Sequence, residues 1–130
     1  MAAREAVRRT TRLSRSRDFE AVYRKGRSVS TRYLTLYWFP REEDGEAAQP
    51  RLGLAVSRKV GGAVARNRVK RRLRAVLDEL EPSLPRSRDY VVIVRPGLVE
   101  AGESQGFAWL AERVRDVFAR AAENERRERA

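Results

Sequence analysis

Apolar residues recur along this chain with two different periods, and the switches between them mark the predicted elements. Phe19, Val22 and Tyr23 follow Ser16 and Asp18 at helical spacing, which predicts a short helix capped by Ser16 and stopped at Gly26. From Val29 to Phe39 the pattern alternates, with Leu34, Leu36 and Trp38 on one face and Tyr33, Thr35, Tyr37 and Phe39 on the other. That is the signature of one strand. Arg41 to Pro50 reads as a solvated hairpin loop, and Leu52 to Ser57 as the antiparallel partner strand. Ala65, Val69, Leu73, Val76, Leu77 and Leu80 return to helical spacing and predict a helix from about Ala63 to Leu80, ended by Pro82.

Tyr90 to Val94 is a short, continuous apolar run, as expected of a central or parallel strand. Phe107, Leu110, Val114, Val117, Phe118 and Ala121 then form the stripe of a closing helix. Glu123 to Ala130 carries no apolar residue but Ala and reads as a fraying tail. Strand, helix, strand between residues 52 and 94 is a βαβ unit. The predicted class is α+β: a short N-terminal helix, a small mixed sheet containing that unit, a basic central helix and a C-terminal helix. One domain over residues 1–130 is expected, with a basic arm at 1–15.

Composition narrows the chemistry. The 130 residues include neither Cys nor His. Disulfides, thiolate nucleophiles and Cys-based metal sites are therefore excluded, and the commonest general base near neutral pH is missing. The longest apolar stretches, Leu36 to Phe39 and Tyr90 to Val94, fall far short of the roughly 20 residues that span a bilayer. A signal-free, disulfide-free chain suits the cytoplasm, and no membrane partner is expected.

Charge is unevenly placed. Lys and Arg number 29 against 18 Asp and Glu, a net +11. Residues 58–74 hold 8 of those cations and no acid, and residues 1–37 hold 10 cations and 3 acids. The remaining residues are net acidic. Arg66/Lys70, Arg68/Arg72 and Lys70/Arg74 are like-charge pairs four apart on the predicted helix. Each such pair destabilises a helix by about 0.2–0.5 kcal/mol. A helix selected for stability alone would not carry them, so the segment points to a polyanion.

Within that segment, Ser57-Arg58-Lys59-Val60-Gly61-Gly62 passes from a strand through a basic pair and a Gly-Gly turn. Ala63-Val64-Ala65-Arg66-Asn67-Arg68-Val69-Lys70-Arg71-Arg72-Leu73-Arg74 then opens the helix. Free backbone N–H groups at a helix start and bidentate guanidinium groups both favour phosphate. This run resembles the signature of the bacterial ribonuclease P protein component, S-[KR]-K-x-G-N-A-V-x-R-N-R-x-K-R-x-x-R. The resemblance extends over residues 12–120 through Arg17-Asp18-Phe19, Val22 to Gly26, Leu52-Gly53-Leu54, and Asp89 to Ile93 followed by Arg95-Pro96-Gly97. One position departs: Gly62 stands where the family has Asn.

The resemblance implies a protein that binds a catalytic RNA subunit and helps it remove the 5′ leader of precursor tRNA. It implies that Arg58, Lys59, Arg66, Asn67, Arg68, Lys70, Arg71 and Arg74 contact the RNA subunit, and that Phe19, Tyr23 and Tyr37 line a cleft for the leader. It also implies a left-handed βαβ crossover, against the roughly 98% right-handed rule. No catalytic residue or metal ligand is expected on this chain; Mg²⁺ is expected in the RNA active site, and no obligate protein partner is inferred. From the residues alone, Phe19 and Tyr23 at i, i+4 suit a buried stripe as well as a leader contact. Tyr37 shares its strand face with other aromatics, and Arg24, Lys25, Arg27 and Arg32 flank the region, which suits base stacking. A ribosomal or ribosome-assembly protein would share these features. Insertion of Asn67, Arg68 and Arg71 into a DNA major groove is disfavoured, because no helix-turn-helix or dimerising zipper accompanies them.

Overall fold

A computed structural model of the chain describes residues 20, 22–24, 26–40, 49–86, 88–102 and 104–129. The basic arm, Ser16, Asp18, Phe19, Lys25 and the acidic loop at 41–48 lie outside the described residues. Helical residues at 20 and 22–24 precede four strands: β1 Arg27–Ser30, β2 Leu34–Pro40, β3 Arg51–Val56 and β4 Arg88–Val94. The helices are α1 Ala63–Leu80, α2 Pro96–Gly102 and α3 Phe107–Arg129. The fold is α+β with one mixed sheet in the order β1-β2-β4-β3. β4 pairs parallel with β3 and antiparallel with β2.

Three expectations are corrected. The stretch Val29 to Phe39 is not one strand but a hairpin, β1 and β2, turned at residues 31–33. Thr31 makes the turn: its N–H donates to the Leu34 carbonyl at 2.8 Å, and its Oγ1 accepts the Tyr33 and Leu34 N–H groups at 3.2 Å each. A hydroxyl that binds nearby backbone in this way offers an alternative to the ladder.

Second, β3 is not the partner of β2, because β4 lies between them. Val91, Val92 and Val94 are apolar and buried, and a strand covered on both faces belongs in the sheet interior. Third, Glu123 to Arg129 continues α3 where the sequence suggested fraying. Arg88 of β4 donates to Glu125 at 3.3 and 3.1 Å, and Arg27 of β1 pairs with Glu128. Both cations are remote in sequence from the acids they hold. The short helix α2 was also unanticipated; it starts at Pro96, a favourable first helical position, and buries Leu98.

The two sheet faces are unequal. Leu34, Leu36, Trp38, Leu54, Tyr90 and Val92 pack against Leu73 and Leu77 of α1 and Val114, Val117 and Phe118 of α3. Each of these side chains removes apolar surface worth about 1.5–3 kcal/mol when fully buried. On the opposite face, Val22 packs on Val91 with Tyr37, Phe39 and Ile93 around them. α1 and α3 thus occupy one face, and the helical residues around Val22 lie on the other with the aromatic side chains.

Candidate nucleic-acid interface

The link from β3 into α1 is built for an exposed helix start. Arg58–Val60 forms a single 3-10 turn, with Val60 N–H donating to Ser57 O at 3.1 Å and Gly61 N–H to Arg58 O at 3.2 Å. Gly61 has φ +154°, a conformation side chains disfavour, and an added Cβ there would sit 3.1 Å from the Ala65 Cβ. Gly62 is the N-cap, at φ −74° and ψ 178°, and no side chain caps the helix. No acid occupies the first turn either. The uncapped N–H groups and the dipole therefore present positive potential beside the cations.

Gly62 adopts a backbone conformation open to any residue, and an added Cβ meets nothing within 4 Å. Asn therefore fits at the position where the family signature has it. Gly62→Asn is expected to raise stability by about 0.5–1 kcal/mol, by capping α1 and reducing the freedom of the unfolded chain. Thermal unfolding measures this as a rise of roughly 2–5 °C in Tm. An unchanged Tm would show that the amide finds no helix N–H.

Arg58, Lys59, Asn67, Arg68, Lys70 and Arg71 are exposed. None of the five cations in that set forms an ion pair with another described residue. Arg66 and Arg74 are half-buried. Arg66 Nε is enclosed without a hydrogen-bond partner among the described residues. Arg74 donates to the Leu52 carbonyl at 3.3 Å, so it helps hold α1 to β3. The eight positions thus divide into an exposed row of six and two that lean into the fold.

The aromatic face forms a second surface. Tyr23 and Tyr37 meet edge to face, with ring centroids 5.0 Å apart at 76°. Tyr23 is 40% exposed, and burial of the rest, followed by the neighbouring Tyr37, raises its phenol above the ordinary value. The ring therefore stays neutral at physiological pH and does not repel phosphate. Tyr23 thereby combines both possibilities left open by its sequence: it packs on Tyr37 and keeps an accessible edge. Phe19 lies outside the described residues.

The flanking cations are less uniform than the sequence suggested. Arg24 pairs with Glu20 at 3.9 Å in solvent, a contact worth little. Arg27 aligns with Trp38 across the ladder and pairs with Glu128, which turns it toward α3 and away from Tyr37. Arg32 lies 5.8 Å from the Tyr33 ring centroid. The sequence reading missed Arg51, which grips the buried Asp89 through Nε at 2.8 Å and Nη2 at 2.7 Å. Register places Asp89 opposite Phe39, so this pair borders the aromatic face. Their separation of 38 residues left no local signal.

Among the described residues, no group of three or more Asp or Glu side chains is arranged to hold a metal ion. No described helix is long and apolar enough to cross a membrane. Comparison with known proteins agrees with the residue pattern. The ribonuclease P family model matches residues 7–122. The ribonuclease P protein component of Shouchella clausii is 45% identical over 89 residues, covering 68% of this chain and 70% of that protein. The component of Lactobacillus gasseri is 41% identical over 91 residues, covering 69% and 72%.

Solved structures give the same answer for the fold. The ribonuclease P protein of Thermotoga maritima superposes with a TM-score of 0.74 at 31% identity, covering 84% of this chain and 96% of that one. The Staphylococcus aureus protein gives 0.73 at 29% identity, covering 85% and 94%. With the family model spanning most of its length, this chain belongs to the bacterial ribonuclease P protein component family, the protein part of a ribonucleoprotein endoribonuclease that processes tRNA.

Proposed function

We infer that the two surfaces divide the labour of RNA binding. The exposed row on α1, with Arg58 and Lys59 before it, binds the catalytic RNA subunit. The Tyr23–Tyr37 face takes the single-stranded 5′ leader of precursor tRNA, a role the family resemblance extends to Phe19. Phosphodiester cleavage belongs to the RNA and its Mg²⁺, and this chain contributes affinity and placement. The setting is the cytoplasm, and the β3-α1-β4 crossover is left-handed as in the family.

The observation that carries this reading is the single-sign cation row of α1, without ion pairs among the described residues and lying apart from the aromatic face. Phosphate neutralisation and base stacking need different side chains, and these are segregated accordingly. Tyr37→Ala is expected to weaken binding of leader-bearing precursor tRNA to the reconstituted ribonucleoprotein about 5- to 100-fold, the loss of one stacked base. Affinity for mature tRNA and for the RNA subunit should remain nearly unchanged. Equal losses for leader-bearing and leaderless tRNA would remove the aromatic face from the leader path.

A further inference from the structure

Between the first half of α1 and the corner joining α2 to α3 lies a cleft of about 370 Å³. Ala65 and Val69 of α1 line it together with Val99 of α2 and Trp109 of α3. All four are half-buried, so the lining is apolar and still reachable. Arg68 and Arg72 line it too. Positions 65, 68, 69 and 72 share one helix face, which joins the apolar surface to two cations. Among the described residues, no acidic side chain lines the cleft.

Its ends are held. Arg72 donates through Nη2 to the Gln105 carbonyl at 3.2 Å, which ties α1 to the turn before α3. Trp109 meets Tyr33 edge to face at 5.3 Å, and the Arg113 guanidinium lies 5.3 Å from the Trp109 ring centroid. The volume falls at the lower end of the range for small-ligand sites, about 300–1,000 Å³.

We propose that this cleft receives one extruded nucleotide of the RNA subunit, its base against Trp109 and Val99 and its phosphate on Arg68. The inference rests on α1 facing that RNA and adds a distinct element: α1 reads an unpaired nucleotide as well as backbone charge. An A-form duplex offers phosphates to the cation row but nothing to an apolar slot beside it. A splayed base with its own phosphate matches both. An apolar protein side chain would match the slot alone and leave Arg68 without a counter-charge.

The absence of cysteine makes a direct test simple, since Val99→Cys places a unique thiol in the cleft. Alkylated with an azidophenacyl reagent and photolysed in complex with the transcribed RNA subunit, it should crosslink predominantly to one single-stranded nucleotide. Unmodified protein should protect that base from dimethyl sulfate or a carbodiimide. Ala65→Leu, which fills the slot without changing charge, should abolish the protection and weaken RNA-subunit affinity about tenfold. The log–log salt slope should change by no more than about 0.9, the loss of at most the single phosphate contact at Arg68.

Crosslinks scattered over duplex nucleotides, no crosslink, or Ala65→Leu binding within twofold of the parent would overturn the proposal. Removal of Arg68 and Arg71 tests the α1 assignment independently. If their loss flattens the salt dependence while the cleft gives no crosslink, the cleft alone fails. An unchanged salt dependence in that double variant removes the foundation of both.

Discussion

Replacing Arg68 and Arg71 together by alanine is expected to weaken binding of the catalytic RNA subunit by roughly a hundredfold or more at low salt, each charge-assisted contact contributing at least about 1.5 kcal/mol. Both side chains are exposed and free of ion pairs with described residues, so their loss leaves the core untouched. It also relieves the like-charge pair with Arg72, and the folded protein should be as stable as the parent or slightly more so. The diagnostic is the salt dependence of affinity. Engagement of about 5–7 phosphates gives a log–log slope of about −4 to −6, and removing two cations should flatten it by about 1.4–1.8. A filter-binding or fluorescence titration across salt concentrations measures both quantities. A slope identical to the parent's would take α1 out of the RNA interface.

Gly26→Ala should be the most damaging small substitution near the aromatic face. A Cβ at that position would lie 2.3 Å from the Val22 carbonyl oxygen and 2.5 Å from that of Trp38. Both are backbone atoms, held by a helical turn on one side and a sheet strand on the other, and neither can rotate aside. The Gly26 N–H also donates to Val22 O at 2.8 Å, so the same residue closes the turn and lies against β2. We expect a loss of about 3 kcal/mol, the upper end of ordinary overpacking. The turn carrying Tyr23 should also be displaced from Tyr37. Urea unfolding measures the first effect, and leader-dependent tRNA binding by the fraction that remains folded measures the second. A variant within about 0.5 kcal/mol of the parent would mean that the chain passes Trp38 with room to spare.

The central helix was legible because its information is local. The apolar stripe through Val69, Leu73, Val76 and Leu77 and the cations between them lie on one continuous segment, and an 18-residue helix follows. The division of β2 into a buried face at Leu34, Leu36 and Trp38 and an aromatic face at Tyr37 and Phe39 was legible for the same reason. Sheet order was not, because alternation states which side a residue faces and says nothing about the neighbouring strand. The hairpin at 31–33 depends on one hydroxyl, that of Thr31, within an otherwise strand-like run. Arg74 projects away from the apolar stripe in a helical projection, yet its long side chain reaches the Leu52 carbonyl, a contact that depends on how α1 lies against β3. Arg51 with Asp89 and Arg88 with Glu125 likewise join elements that only the finished fold brings together.

The position of β4 has a consequence for synthesis of the protein. Leu34 pairs with Val94, and Tyr37 with Val91, so β2 waits for a strand that begins nearly fifty residues after it ends. The β1–β2 pairing uses only residues 27–40, whereas the other edge of β2 has no partner until residues 88–94 have been made. Such pairings are slow to close, and an open edge invites strand addition from other chains. The cation row of α1 emerges before β4 does. A nascent chain therefore has its cationic helix sequence available while the sheet beneath it is incomplete, and a chain truncated before residue 88 should retain nonspecific RNA affinity without a formed aromatic face.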